Sequence, residues 1–281
     1  MTKLSYNYHT HLYLCRHAVG DFEDYIKAAI RNNYSDLGFS DHAPLPDTAL
    51  NKISKTRRMS LNEFYEIYLS NYNKIKELYI NKINLYIGLE IEYLEETKEF
   101  IKKAINEHLV DYLILGQHYY NNTKDTIDTI YSKEFNDNNF NLWTNSVIEA
   151  LNTGYFKILA HPDIFLWHLN WKEEYIENCR KIIECCIKNK VYLEINANGI
   201  RNCKKLNHLS KEIINNQERI VYDYPNLHFL EVLKEYNNTD LMVIIGEDAH
   251  DPLNIWDDAT KECLEIIKEY GINIIEHPII K

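Results

Sequence analysis

Seven short apolar runs alternate with longer amphipathic windows along the 281 residues, and this rhythm restricts the fold more than any other feature of the chain. The runs are LSYNYH (4–9), SDLGFS (35–40), NLYIGLEIEY (84–93), DYLILGQH (111–118), FKILAH (156–161), VYLEINA (191–197) and LMVIIGED (241–248). Helical windows fall near 21–33, 60–79, 95–108, 140–153, 172–189, 225–237 and 254–270. In the second window Ser60 and Glu63 have capping-box spacing, and Leu61, Phe64, Ile67, Tyr68, Asn71, Tyr72 and Ile75 follow a mostly apolar period near 3.6. Strand–helix alternation with no long Gly/Ser/Pro-rich linker predicts one parallel α/β domain over residues 1–281, either a closed barrel or an open doubly wound sheet.

The polar residues decide between these. Nearly every run ends in a histidine or a carboxylate: His9 and His11, His42, Glu90, His118, His161, Asn196, then Asp248 with His250. A barrel gathers all its strand C-terminal ends around one mouth, whereas an open sheet spreads them along a crevice, so the barrel is the expectation. Seven of the twelve histidines (His9, His11, His17, His42, His118, His161 and His250) then share that rim with Glu90 and Asp248. Such a group is costly to confine unless cations supply its partners. Imidazole and carboxylate suit zinc, iron or manganese, and nine donors at three to four per ion imply more than one metal. In the His-x-His pair, His9 and His11 are two apart and point the same way on an extended strand end. His108, His168, His208, His228 and His277 fall in helices or loops and carry no assigned role.

Acidic residues outnumber basic ones 42 to 31, for a net charge of -11, and no basic stripe offsets it, which argues against a nucleic-acid partner. No apolar run approaches the roughly 18 residues of a membrane span, and the N-terminus lacks a signal-like apolar stretch, so a cytoplasmic location is expected. Six cysteines, Cys15, Cys179, Cys185, Cys186, Cys203 and Cys263, show no C-x-x-C pair or regular spacing and read as reduced thiols. Cys15 lies between two histidines but reads as a small buried residue.

The ordered set HTH (9–11), His17, GFSDHAPLP (38–46), GLEIEY (88–93), GQHYY (116–120), AHPD (160–163), EINANGIR (194–201), YPN (224–226) and GEDAH (246–250) resembles the PHP family of metal-dependent phosphoesterases, and within it the PHP-type histidinol phosphatases. The resemblance runs from about residue 5 to 252. It implies a distorted seven-stranded α/β barrel with three divalent transition-metal ions at the strand C-terminal ends. His9, His11 and Asp248 would hold one ion, Glu90 would bridge it to a second held by His118 and His161, and His17, His42 and His250 would hold the third. Glu90, Asp248 and His250 would stand at the catalytic centre of a phosphomonoesterase. The implied reaction is hydrolysis of L-histidinol phosphate to L-histidinol and phosphate by metal-bound hydroxide, a step of histidine biosynthesis. A broader phosphatase or nucleotide phosphoesterase, or a non-catalytic metal-binding barrel, are the alternatives. Gln117 and Glu247 depart from the family pattern.

Arg201, just beyond the sixth strand, is placed to grip substrate phosphate through its planar guanidinium, a role the resemblance also implies. Glu92 shares a strand face with Glu90 and would either support the metal ligands or meet a cationic substrate group. Tyr119 and Tyr120, with Asp163 and Glu247, are the other candidates for contact with that group. Arg57 and Arg58 read as solvated loop charges.

Overall fold

The computed structural model describes residues 3–53, 57–123, 125–214 and 216–280. All seven expected strands form, as β1 (Tyr6–Asn7), β2 (Asp36–Phe39), β3 (Asn84–Ile91), β4 (Tyr112–Leu115), β5 (Ile158–Leu159), β6 (Tyr192–Asn196) and β7 (Val243–Gly246). They lie side by side in chain order, every neighbouring pair parallel. Parallel strands covered on both faces need apolar residues throughout, and β4, β5, β6 and β7 are buried at every position. The first and last strands approach at the top: Thr10 and Ala249 form a parallel bridge, with His11 N–H donating to Ala249 O at 2.9 Å and Ala249 N–H to His9 O at 3.1 Å. That closure makes the sheet a barrel and carries residues 9–11 and 248–250 to the same rim.

The helices arise where the amphipathic windows lie. Ser60 and Glu63 do form a capping box, Glu63 N–H donating to Ser60 Oγ at 3.2 Å and Ser60 N–H to Glu63 Oε2 at 2.8 Å. The helix then widens to π geometry over Phe64–Leu69 before resuming as Ser70–Tyr79. Phe64, Tyr68 and Tyr72 are buried, but Leu61, counted in the apolar stripe, lies exposed on the first turn before the buried face begins.

Besides the short helix Asp47–Leu50, one longer helix and two hairpins went unread in the sequence. Ala197–Leu206 is a helix that starts directly from β6, its first turn capped by Asn196. Leu209–Ile214 pairs antiparallel with Gln217–Tyr222, and Tyr119–Asn121 pairs with Ile127–Thr129, as two hairpins outside the barrel. At the N-terminal end of the strands the C-terminal segment covers the barrel, accepting from Tyr8 Oη at Pro278 O (3.1 Å) and donating from Ile279 N–H to Tyr192 Oη (2.9 Å).

Candidate metal centre

The barrel gathers all nine expected donors at the C-terminal ends of its strands, with Glu90 at the middle. Its Oε2 lies 2.9 Å from His42 Nδ1, 3.5 Å from His11 Nε2 and 3.6 Å from His9 Nε2. Its Oε1 lies 3.0 Å from His161 Nε2 and 3.7 Å from His118 Nε2. Glu90 fits because the residue just beyond the neighbouring strand β4 is Gly116, where a Cβ would collide with its carboxylate. Asp248 presents Oδ1 to His11 Nε2 at 3.1 Å and to His9 Nε2 at 3.6 Å. His9 and His11 are fully buried, while His17 and His250 form the open side of the cluster. His161 and Asp248 both have positive φ, at 32° and 46°. Side chains other than glycine hold such angles only where surrounding contacts impose them, as at functional sites.

The ring nitrogens facing away from the centre fix what the inner ones offer. His9 Nδ1 is 2.8 Å from Glu194 Oε2 and His118 Nδ1 is 3.1 Å from Glu92 Oε1. His17 Nδ1 meets Cys15 O at 2.8 Å, and His250 Nδ1 meets Asp248 O at 3.0 Å. Carbonyl and carboxylate oxygens only accept, so each Nδ1 carries a proton and each Nε2 is the inward-facing nitrogen, with a lone pair to offer wherever the ring is neutral. The consequence is plain at the open side, where His17 Nε2 and His250 Nε2 stand 3.0 Å apart. Buried donor atoms without hydrogen-bond partners include His9 Nε2, both nitrogens of His11 and Asp248 Oδ1.

The charges follow the same logic. Burial, reinforced by the imidazole of His11, pushes His250 down to about 3, so its lone pair is free at neutral pH. Burial also opposes charge on His11, but the neighbouring carboxylates of Asp248, Asp41 and Glu90 outweigh it and raise that group to about 9. In a metal-free site, protons on His9 and His11 thus stand in for cations among Glu90, Asp248 and Glu194. Sets of donors within 4.8 Å of one another, such as His11, His42 and His250, or His9, His11 and Glu90, or His42, Glu90 and His118, have the composition and spacing of transition-metal sites. The residues present therefore fit divalent ions.

Above the cluster opens a cavity of about 690 Å³, a size that takes small-molecule ligands. Arg57, Arg201, Lys205, Tyr119, Tyr131 and Tyr224 line it together with the exposed donors and the amides of Asn198, Asn202 and Asn254. Several expected contacts are arranged differently. Arg201 does line the cavity, but its guanidinium is held by Asp257, with Nε 2.6 Å from Oδ2 and Nη2 2.9 Å from Oδ1, and it also donates to the carbonyls of Glu247 and Asn254. Glu92 is fully buried, paired with Arg58 and accepting from His118, so it supports a ligand and is not among the cavity-lining residues. Arg58 is correspondingly not a solvated charge: its side chain is only 6% exposed. Arg57 is exposed, as expected.

Asp163, Glu247 and Tyr120 are also buried, none of them lining the cavity. Asp163 accepts from Asn226 N–H at 2.7 Å, and Glu247 from Tyr34 Oη and Trp256 N–H, each at 2.7 Å. Burial pushes both carboxyls up to about 7. Gln117 is likewise internal, its amide joining Tyr93 and Tyr119 backbone groups. Of the proposed contacts for a cationic group, Tyr119 alone remains on the cavity wall. Reasoning from sequence missed Glu194, Asp41, Asn198, Tyr131 and Lys205. A carboxylate inside the apolar run VYLEINA was a visible signal for Glu194. Nothing local marked Lys205, which reaches the cavity through the unread helix Ala197–Leu206.

A PHP domain matches residues 7–198, and the chain belongs to the PHP family. The match ends before Asp248 and His250, which barrel closure returns to the site. A probable histidinol-phosphatase of Deinococcus radiodurans is 30% identical over 111 residues, 40% of this chain and 41% of that protein, so the chain spans less than half the length of this relative. The histidinol-phosphatase of Bacillus subtilis is 20% identical over 219 residues, covering 69% of this chain and 80% of that one. Among solved structures, histidinol phosphate phosphatase from Lactococcus lactis, complexed with zinc, L-histidinol and phosphate, superposes with a TM-score of 0.65 at 16% identity over 96% of this chain and 95% of that chain. At that identity the superposition speaks to the fold, which is the same α/β barrel.

Proposed function

We propose that this chain is a metal-dependent phosphomonoesterase that hydrolyses L-histidinol phosphate to L-histidinol and phosphate, a step of histidine biosynthesis in the cytoplasm. The observation that carries the reading is the convergence of five imidazoles on Glu90, with Asp248, His17 and His250 completing the cluster, beneath an open cavity. In this reading residues 1–281 act as a single domain. Three ions would be held, one by His9, His11 and Asp248, one by His118 and His161, and one by His17, His42 and His250, with Glu90 bridging the first two. Such ions, when bound, lower the pKa of an attacking water and neutralise charge on the phosphoryl and departing oxygens.

The chain's own residues do the rest. Lys205 and Arg57 at the rim attract the phosphate dianion, and Arg201, held in place by Asp257, directs its remaining N–H toward the phosphate. Tyr119, Tyr131 and Tyr224 offer aromatic faces to the imidazole and ammonium groups of the substrate. The names of the Deinococcus and Bacillus relatives and the ligands of the Lactococcus structure support this choice of substrate.

One observation favours a broader substrate range. Among the described residues, the only carboxylates lining the cavity are Glu90 and Asp248, so no acidic side chain is reserved for an ammonium group. A phosphate-release assay over histidinol phosphate, a nucleoside monophosphate, phosphotyrosine and an aryl phosphate, with zinc or manganese added, tests both readings. Turnover of histidinol phosphate at least tenfold above the others is expected. Comparable rates on all would leave the general phosphatase, and no turnover of any would leave a non-catalytic barrel.

A further inference from the structure

We propose that Glu194 and Asn196 are positioning residues that together hold His9 and Asp248 in the geometry a metal ion requires. The inference rests on the metal-dependent reading above and adds two residues outside the ligand set. Glu194 and Asn196 are two apart on β6 and so share one face of the strand, pointing into the barrel. Both are buried, at 1% and 0% exposure, and neither lines the cavity, so neither touches substrate.

Their hydrogen bonds form one connected unit. Glu194 Oε2 accepts from His9 Nδ1 at 2.8 Å, which fixes the tautomer that leaves His9 Nε2 as the inward donor. Glu194 Oε1 accepts from Asn196 Nδ2 at 2.7 Å, and the same amide nitrogen reaches Asp248 Oδ2 at 3.2 Å. Asp248 Oδ2 also accepts from Asn198 Nδ2 at 3.1 Å, which leaves Oδ1 directed at His9 and His11. Asn196 Oδ1 is itself fixed by the backbone N–H groups of Asn198 and Gly199, so the amide cannot turn. A carboxylate as buried as Glu194 is costly unless it has such work for its charge.

The neighbouring strand is adapted to this unit. Gly246 lies opposite Asn196 in the parallel register, and a Cβ there would collide with the Glu194 carboxylate. The glycine gives room for a side chain that turns toward His9.

The test is zinc affinity of the full chain, measured by competition with a chromogenic chelator, alongside melting temperatures with and without zinc. Glu194→Gln keeps the shape but loses the charge, and zinc affinity should fall about tenfold to a hundredfold. The rise in melting temperature on adding zinc should shrink with it. Gly246→Ala, which alters no polar group, should give the same loss by displacing Glu194. A purely structural role would lower both melting temperatures equally and leave affinity unchanged; that result, in whichever variant folds, overturns the proposal. Wild-type protein that takes up no zinc would instead overturn the metal-dependent reading beneath it.

Discussion

Arg58 and Glu92 form a buried ion pair in the wall of the cavity, and the Glu92 oxygen that receives the guanidinium also accepts from His118 Nδ1. A residue of the loop before the capped helix is thereby linked to a metal-ligand candidate just beyond β4. Removing Arg58 would strand a carboxylate that is 1% exposed, and breaking a buried pair from one side costs about 3–5 kcal/mol. Arg58→Met should therefore lower stability by that order in urea unfolding. Arg57→Met, at an exposed neighbouring position, should stay within about 0.5 kcal/mol. Equal effects of the two would mean that the pair contributes nothing to the fold.

Glu90 is approached by five imidazoles, from His9, His11, His42, His118 and His161, which is the placement the proposed bridging role requires. Purified protein never exposed to chelator should carry about three transition-metal ions per chain by elemental analysis. Glu90→Ala should reduce both that content and phosphatase activity. A fully loaded, fully active variant would remove Glu90 from the bridging role.

Much of this was legible because two periodicities were. Runs such as DYLILGQH have an apolar centre, YLIL, as strands buried on both faces must, and the polar residues at their C-terminal ends mark the barrel mouth. What was illegible depended on directions that chain position does not encode. Glu92 and Asp163 each sit two residues from a ligand in sequence, yet both are buried away from the cavity, because they lie beyond the ends of β3 and β5, where strand alternation no longer sets side-chain direction. Lys205 lies outside the quoted motifs and reaches the cavity because Asn196 caps a helix immediately after β6, on which Lys205 falls one turn beyond Arg201. The hairpin Leu209–Ile214/Gln217–Tyr222 mixes charged and apolar residues, with half the positions of each strand exposed, so no clear burial pattern announced it.

Arg201 now has two roles to separate. Its fork is bound to Asp257, and the proposed phosphate contact would use the Nη1 N–H that Glu247 O does not take. Loss of a charge-assisted contact is worth roughly 1.5–3 kcal/mol, so Arg201→Ala should lower kcat/KM by about tenfold to a hundredfold with metal content retained. Asp257→Asn tests the other role: it should weaken the hold on the guanidinium and produce a smaller fall in the same parameter. Unchanged kinetics in Arg201→Ala would leave the arginine a purely structural tie between the helix Ala197–Leu206 and the segment 247–260.

Lys205 and Arg57 stand at the cavity rim on a chain whose net charge is -11, so they create a local attraction against a repulsive background. Both are exposed, and their effect should be screened by salt. kcat/KM for small phosphomonoesters should fall as ionic strength rises from about 0.01 to 0.15 M, while kcat changes little. The double variant Lys205→Met/Arg57→Met should flatten that dependence. A wild-type rate indifferent to salt would show that the rim charges do not guide the substrate.

Discrimination among phosphomonoesters has to come from contacts beyond the phosphate, since metal ions serve the phosphoryl group of any of them. With the buried carboxylates turned away, the aromatic wall is what remains for a cationic alcohol. Tyr131 is its most informative member: its ring stacks on that of His118 with centroids 5.9 Å apart, and the residue is 42% exposed on the cavity side. A cation over such a face gains about 0.5–2 kcal/mol, so Tyr131→Ala should lower kcat/KM for histidinol phosphate by about twofold to thirtyfold. Glycerol phosphate, which has neither ammonium nor imidazole, should be hydrolysed by the variant nearly as well as by the wild type. The ratio of the two substrates is therefore the measurement that matters. A parallel drop for both would mean that Tyr131 acts through the His118 ring and not on the substrate, and selectivity would then have to reside in Tyr119, Tyr224 or the asparagine amides.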